Sequence, residues 1–174
     1  AVVERAAEEF GWSSGAPEGD RGRGFAFARY KNHAAYLAVA LELELERETG
    51  RTRVSRAVAA IDSGEAVNPD GIRNQTQGGI IQATSWTLFE QVTFDNTRVT
   101  STDWSSYPIL RFPSAPDSVE VHVIDSPGQP FLGTGEAAQG PTPAAIGNAF
   151  RQLTGVRLYD LPFTRERVKQ AIGV

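Results

Sequence analysis

The chain has 174 residues, of which 40% are hydrophobic and 22% are charged, and its formal net charge is -4. A chain of this length can bury about two-thirds of its unfolded surface, which is enough for one sizeable folded domain. The negative balance provides no positive field for phosphate backbones, so we expect no nucleic-acid partner.

The sequence shows no pattern for membrane insertion and has no residue that could supply a thiol. Its apolar runs are too short to cross a membrane and its first residues lack a signal-peptide pattern, so we expect a soluble protein, with the cytoplasm and the periplasm as open alternatives. Cysteine is absent. This absence excludes disulfides, cysteine nucleophiles, thiolate zinc sites and ordinary iron–sulfur clusters within the chain.

The first 23 residues are predicted to form a helix and a connecting loop. Apolar residues in 2–10 recur at helical spacing, and Gly11 ends the pattern. Residues 13–24 combine Gly, Ser, Pro and charge without periodicity, which is typical of an exposed connection. Because the sequence lacks Met and opens directly on a helical pattern, we expect a missing upstream region. Residues 24–174 are predicted to form the following domain.

A β-sheet is predicted in the first half of this domain. Residues 39–46 alternate strictly between apolar and polar side chains, which is the pattern of a half-buried strand. A turn at 48–52 and the stretch 53–61 complete an antiparallel hairpin, and 24–30 adds a strand beside it. Further short strands are expected at 92–103, 118–124 and 156–161.

Three helices are predicted after the hairpin. Asn-Pro at 68–69 supplies a cap and a first-turn proline for a helix that runs to about Glu90. Thr-Pro at 142–143 repeats this signal before a helix that ends at Gly155, and Thr164 caps a last helix. Strands and helices mixed in this way predict an α+β fold, with a mixed antiparallel sheet and packed helices.

Two adjacent glycines interrupt the long predicted helix where it should be most buried. Gly78 and Gly79 each cost about 1 kcal/mol relative to Ala in a helix interior, so a compensating reason is needed. Tight packing of the helix against a sheet is the simpler explanation. Close approach of a ligand to the backbone is the alternative.

A Gly-x-Gly turn at 133–135 delivers the carboxylate of Glu136. Such a turn lets the backbone pass close to a ligand while the acid points into a site. From the residues alone, a solvated loop acid is the simpler explanation of Glu136. The run GTGEAA also fits a loose dinucleotide-binding fingerprint, but Pro141 and Pro143 prevent a helix from starting at the glycines, so we reject that function.

Other catalytic arrangements have less support. His33 and His122 are both predicted to lie on the surface, and no spacing of His or acidic residues fits a metal site. We therefore expect no metal ion bound directly by side chains. A serine triad is not expected either, because neither His33 nor His122 is a convincing partner for a serine nucleophile.

Three further segments carry spaced motifs. They are AIDSGEAVNPDGIRNQTQGGIIQATSWTLFE at 60–90, YPILRFPSAP at 107–116, and the run from GTGEAAQGPTPAAIGNAF to TGVRLYDLPFT at 133–164. In this order they resemble the C-terminal, molybdopterin-binding domain of the large subunit of molybdenum hydroxylases, the xanthine dehydrogenase and aldehyde oxidase family. The likeness covers nearly all of residues 24–165 and is strongest to the isoquinoline oxidoreductase beta-subunit type.

This resemblance implies a function for both unusual segments. Glu136 matches the active-site base of the family, and Gln75 matches a glutamine that lies close to the pyranopterin and the metal. The remaining implied cofactor neighbours are Gly78, Gly79, Thr134 and Gly135.

The resemblance also implies a cofactor, substrates and partners. The cofactor is a molybdopterin dinucleotide, expected in its cytosine form, and the substrate is an aldehyde or a nitrogen heteroaromatic compound that is hydroxylated with oxygen from water. The expected partners are the rest of the large subunit and an iron–sulfur subunit, because a chain without Cys cannot ligate the clusters. Alone, the chain is expected to lack the cofactor and to be inactive.

The rival hypothesis is a non-catalytic binding or assembly module that shares this fold and contacts a partner through the edge of its hairpin. The two hypotheses differ in geometry. A buried Glu136 in a cleft shared with Gln75, with both side chains on one concave surface, would favour the enzyme, whereas a large separation between them would favour the module.

Overall fold

The computed structural model describes residues 1–13, 15 and 19–174. Its helices and strands follow the order α1 (Val2–Phe10), β1 (Arg21–Arg29), β2 (Tyr36–Glu46), β3 (Arg51–Asp62), α2 (Pro69–Leu88), β4 (Ser118–Ile124), α3 (Pro141–Thr154) and α4 (Arg165–Ile172). Residue 14 and residues 16–18 of the predicted connection lie outside the described part. None of the described helices is both long enough and apolar enough to span a bilayer.

The four strands form one mixed sheet in the order β1-β2-β3-β4. The first three pair antiparallel, and β4 pairs parallel to β3. The β2–β3 hairpin closes through a turn in which Gly50 has a φ of 70°, a left-handed conformation that Gly adopts without steric cost. The α+β class and the hairpin are therefore confirmed. The predicted strand at 24–30 begins earlier, at Arg21.

Helices cover both faces of this sheet. Along β2, Leu37, Val39, Leu41 and Leu43 pack with side chains of α2 and α3, such as Ile80 and Phe150. The intervening Ala38 and Ala40 pack with side chains of α1. Because successive side chains of a strand point to opposite faces, β2 is buried on both sides along most of its length. The helix α1 is thus part of the packed structure, while the predicted division at residues 23 and 24 stays a prediction.

Glycines bring α3 into close contact with β1. A Cβ atom at Gly24 would lie 1.8 Å from the carbonyl oxygen of Ala145, and one at Gly22 would lie 2.4 Å from that of Ala149. Real side-chain atoms do not approach backbone this closely. Only Gly at these two positions lets the helix pack at the observed distance.

Amide side chains from the helices cover part of both outer edges of the sheet. Gln152 of α3 accepts a hydrogen bond from the backbone N–H of Arg23 at 2.6 Å, and Asn148 donates to the carbonyl of Phe25 at 2.9 Å. On the opposite edge, Gln77 of α2 donates to the carbonyl of Val119 at 2.9 Å. Three backbone groups on the outer edges of β1 and β4 are therefore satisfied without a further strand.

Two predicted strands are wrong. Residues 92–103 contain only one isolated bridge, between Phe94 and Val99, and their side chains are largely exposed. The side chain of Asp95 organises a turn there by accepting from the backbone N–H of Thr97 at 2.7 Å. Residues 156–161 are also irregular. In both cases residues that favour strands occur in a segment that pairs with no strand of the sheet.

The predicted helix signals are confirmed with one correction. Asn68 and Thr164 cap α2 and α4, since their side chains accept from backbone N–H groups three residues later, and Gly155 ends α3 in a left-handed conformation. However, α3 begins at Pro141, not after Thr142. The buried Thr142 hydroxyl instead donates to the carbonyl of Ala138 at 2.7 Å.

The predictions for the two histidines have different outcomes. His33 is exposed, as predicted. His122 is half-buried, because α1 packs beside it and places the Glu9 carboxylate 3.8 Å from its Nδ1. Its Nε2 is buried and has no hydrogen-bond partner among the described residues. The surface prediction is therefore wrong for His122, since the strand alternation did not reveal the helix on that face.

Candidate active site

The N-terminus of α2 places Gln75 on the surface of the molecule. Pro69 occupies the first turn, where its missing N–H is not needed, and the Asn68 side chain accepts from the N–H of Gly71 at 2.9 Å. Asp70 provides a negative charge in this first turn, which is favourable at a helix N-terminus. The following turn carries Gln75, whose side chain is exposed.

A hydrogen bond joins Gln75 to the Gly-x-Gly turn. Its Nε2 donates to the carbonyl oxygen of Gly135 at 2.6 Å, across 60 residues of sequence. An amide–carbonyl contact of this length is a full hydrogen bond. The helix residue and the turn residue that the sequence singled out therefore lie next to each other.

Main-chain contacts fix the turn at both ends. The N–H of Leu132 donates to the carbonyl of Ser63 at 2.7 Å, and the N–H of Ala35 donates to the carbonyl of Gly133 at 3.3 Å. On the far side, the N–H of Ala137 donates to the carbonyl of Thr134 at 3.1 Å. The acid-bearing turn is thus tied to the ends of two sheet strands and leads directly into α3.

Glu136 is exposed, and its carboxylate has a specific neighbour. The hydroxyl of Tyr30 donates to its Oε2 at 3.1 Å. The sequence analysis missed Tyr30, because the only available signal was an aromatic residue at the end of a predicted strand. The residues that the structure describes do not bury Gln75 and Glu136 in a shared cleft, so that expectation is not met, but the two residues lie close together on one surface.

The two adjacent glycines have different surroundings. A Cβ atom at Gly79 would lie 3.1 Å from the Cβ of Ala138, so tight packing accounts for this glycine. A Cβ atom at Gly78 would meet nothing within 4 Å, and Gly78 is exposed. Packing within the chain does not explain Gly78. Its backbone is open to a bound group on the same side of α2 from which Gln75 reaches the turn.

The groups available at this surface suit a cofactor held by hydrogen bonds. They are the side-chain amide of Gln75, the hydroxyl of Thr134, and the open backbone of Gly78 and Gly133, where an added Cβ would also meet nothing within 4 Å. Across the described part of the chain, no group of three or more His, Cys, Asp or Glu side chains could hold a metal ion. The arrangement can therefore bind a polar organic group and present one carboxylate.

Comparison with known protein families identifies the family to which the chain belongs. Residues 3–116 match the family model of the molybdopterin cofactor-binding domain. The chain belongs to this family. It is a molybdopterin-binding part of the xanthine dehydrogenase family, and its cofactor is the molybdenum cofactor.

Relatives of this molybdopterin-binding chain include components of two bacterial enzymes. It is 44% identical to a nicotinate dehydrogenase component from Pseudomonas putida, over 90% of the chain and 14% of the relative. It is 32% identical to the beta component of isoquinoline 1-oxidoreductase from Brevundimonas diminuta, over 93% of the chain and 20% of the relative. The sequence resemblance pointed to the isoquinoline type, and the nicotinate enzyme is the more similar of the two.

A solved structure supports the same family. Quinoline 2-oxidoreductase from Pseudomonas putida 86 superposes with a TM-score of 0.73 at 31% identity, covering 80% of this chain and 19% of that one. The chain thus spans between about one-seventh and one-fifth of the length of these relatives. The predicted roles of Glu136 and of the cofactor neighbours stay predictions.

Proposed function

We propose that this chain forms part of the active site of a molybdenum-dependent hydroxylase and that Glu136 is its general base. The hydrogen bond between Gln75 and Gly135 carries the proposal, because it brings the glycine-bearing helix and the acid-bearing turn to one surface. A solvated loop acid would need neither this contact nor the Tyr30 hydrogen bond.

The names of the relatives support a proposed substrate class. Their names refer to nicotinate, isoquinoline and quinoline, which are nitrogen heteroaromatic compounds, and an aldehyde oxidoreductase from Desulfovibrio gigas also superposes on the chain. We assign a nitrogen heteroaromatic compound or an aldehyde as the substrate, hydroxylated with oxygen derived from water.

The cofactor is proposed to be the cytosine dinucleotide form of molybdopterin. Gln75, Thr134 and Gly135 would contact it through polar groups, and Gly78 would allow it to approach the helix backbone. Gly79 would contribute by letting Ala138 pack against α2, which sets the position of the turn. When bound, the cofactor supplies the redox chemistry, while the protein supplies binding, orientation and acid–base catalysis.

Glu136 performs the acid–base part of this function. Its Oε2 is engaged by Tyr30, so Oε1 is the oxygen that accepts the proton released when the water-derived oxygen is activated for attack on the substrate. A carboxylate is an effective base only when it is ionised and within hydrogen-bond reach of that proton. A positioned base contributes about 10²- to 10⁴-fold to the rate.

The test is Glu136→Gln in the full-length enzyme, assembled with its partners. Because Gln has nearly the same size but cannot act as a base, we expect kcat to fall by about 10²-fold or more with no loss of bound molybdenum. Glu48→Gln, at an exposed acid in the β2–β3 turn, is the matched control and keeps normal turnover. Near-normal kcat in the Glu136 variant would refute the role of general base.

The partners of this chain are proposed to be the rest of the large subunit and an iron–sulfur subunit. The chain spans only a fraction of its relatives, and it has no Cys with which to ligate the clusters that remove electrons. Alone, it is proposed to be inactive.

The alternative, a non-catalytic module, requires a free strand edge on the β2–β3 hairpin for contact with a partner. Both strands of the β2–β3 hairpin are inside the sheet, since β2 pairs with β1 and β3 pairs with β4. Over Arg56–Asp62 the outer edge of β3 is therefore occupied by β4, and no observation favours this alternative over the enzyme.

A further inference from the structure

We infer that Tyr30 is a positioning residue for Glu136. It holds one carboxylate oxygen in place so that the other remains available for the proton. This inference rests on the proposed function of Glu136. It starts from the 3.1 Å hydrogen bond between the Tyr30 hydroxyl and Glu136 Oε2, the one hydrogen bond that the Glu136 carboxylate makes within the described part of the chain.

A tight turn after β1 fixes the position of Tyr30. Its N–H donates to the carbonyl of Ala35 at 2.8 Å, and its carbonyl accepts from the N–H of Ala34 at 2.9 Å. Within this turn, Lys31 and Asn32 have φ values of 51° and 60°. Residues other than Gly rarely adopt this left-handed conformation, and they retain it where the surroundings define the backbone closely.

The same turn is bonded to the segment that carries Glu136. The N–H of Ala35 donates to the carbonyl of Gly133 at 3.3 Å, so the tyrosine turn and the acid-bearing turn are joined through both main chain and side chain. Movement of one relative to the other would break two hydrogen bonds. Tyr30 is therefore fixed relative to the backbone of its acceptor.

A cation lies over the tyrosine ring. The Nζ atom of Lys31 is 5.0 Å from the ring centroid of Tyr30, within the range of a cation–π interaction. A positive charge on the ring face withdraws electron density from the phenol and strengthens its hydroxyl as a hydrogen-bond donor. The donor thus suits an ionised carboxylate as acceptor.

Gln75 and Tyr30 act on different parts of the same segment. Gln75 holds the main chain at Gly135, one residue before the acid, whereas Tyr30 holds the acid side chain itself. Loss of the Tyr30 hydroxyl would leave the backbone of the turn in place and free the Glu136 side chain to rotate. This separation makes the role of Tyr30 testable.

The test is Tyr30→Phe in the full-length, cofactor-loaded enzyme. Because misplacement of a reacting group by about 1 Å can cost up to 10²-fold, we expect kcat to fall on the order of 10- to 100-fold. KM and the molybdenum content should remain unchanged. A crystal structure of the variant should show an unchanged turn with a displaced Glu136 carboxylate. In the variant that also carries Glu136→Gln, no loss beyond that of Glu136→Gln alone is expected.

The matched control is Tyr36→Phe. Tyr36 lies on β2, and its hydroxyl makes no hydrogen bond among the described residues, so normal kcat is expected. If Glu136→Gln is inactive while Tyr30→Phe keeps normal kcat and an unmoved carboxylate, the inference for Tyr30 fails alone. If Glu136→Gln remains active, the base and its positioning residue fail together. A Tyr30 variant that loses molybdenum or raises KM in parallel would show a structural role and overturn the inference.

Discussion

Gly78 and Gly79 show how one sequence motif can serve two purposes. Both interrupt the same turn of α2, and the sequence alone could not separate packing from ligand approach. The surroundings do: a Cβ at Gly79 would press on Ala138, while one at Gly78 would extend into open space. No contact among the described residues requires a glycine at position 78. The contact between α2 and the segment before α3 requires the glycine at position 79.

Alanine substitutions should therefore have opposite effects on stability. In the 174-residue chain, Gly78→Ala should raise the free energy of unfolding by about 0.5–1 kcal/mol, because Ala is favoured over Gly in a helix and meets no neighbour. Gly79→Ala should lower it by about 1 kcal/mol, since overpacking against Ala138 outweighs the helical preference. Urea unfolding followed by circular dichroism measures both.

The same substitutions can be compared for cofactor content in the full-length enzyme. If the cofactor approaches the backbone at Gly78, the stabilised Gly78→Ala variant should contain less molybdenum than the parent. Full cofactor occupancy in Gly78→Ala would argue against Gly78 as a cofactor neighbour. Gly79→Ala is the contrasting variant, because Ala138 occupies the space next to Gly79.

At single positions, the sequence predicted the pair Gln75 and Glu136 through resemblance and missed Tyr30. The difference has a physical reason. Gln75 and Glu136 stand in motifs with recognisable spacing, but Tyr30 belongs to no such motif and precedes a turn in which Lys31 and Asn32 adopt left-handed conformations. Lys and Asn carry no strong signal for two consecutive residues of this kind.

The contact between α3 and β1 is the element-scale feature that sets the position of the acid-bearing turn. The turn leads directly into α3, and α3 rests on the glycines of β1. A side chain at Gly24 would push the Ala145 carbonyl outward and move the start of the helix with it. The packing of a distant strand thereby controls where Glu136 lies.

We expect Gly24→Ala to lower the free energy of unfolding of the chain by about 3 kcal/mol, because a buried methyl group would collide with backbone atoms. Chemical denaturation measures this change. The matched control is Gly147→Ala on α3, where the added Cβ would lie 3.8 Å from Phe163 in ordinary contact, so stability should be unchanged or slightly raised. Equal stability of the Gly24 variant and the parent would contradict this account of the α3–β1 contact.

Elements whose signals lie in neighbouring residues were predictable from the sequence. Strands that need a distant strand as a pairing partner were less predictable. The hairpin and the helix caps follow from alternation and from residues next to them in sequence. The segments at 92–103 and 156–161 contain β-branched and aromatic residues of the kind that strands favour. Neither segment pairs with β1 or β4, where amides of α2 and α3 bond to part of each outer edge. Whether a strand forms depends on a partner, which a local pattern does not contain.

On the scale of the whole molecule, the candidate site is an open surface rather than a pocket. Glu136 and Gln75 are exposed, whereas sites for molecules of cofactor size usually bury about 70–90% of the ligand surface. This chain supplies one side of such a site. In the proposed enzyme, the remaining side comes from the rest of the large subunit.

The isolated chain should therefore fold but retain no cofactor. Purified from cells that make the molybdenum cofactor, it should contain molybdenum well below stoichiometry, as measured by inductively coupled plasma mass spectrometry, and should show a cooperative thermal transition. The full-length enzyme, prepared in parallel, provides the positive control. Stoichiometric molybdenum in the isolated chain would mean that one side of the site is sufficient for binding.

The amides that bond to the sheet edges have a consequence for assembly. With Gln152 and Asn148 on β1 and Gln77 on β4, peptide groups at both borders already have partners inside the molecule. Edge-to-edge strand pairing between copies of the chain is thereby disfavoured. Where these groups are paired, a larger complex has to be joined through side chains and loops, whose chemistry can distinguish one neighbour from another, and not through backbone bonding that accepts almost any strand.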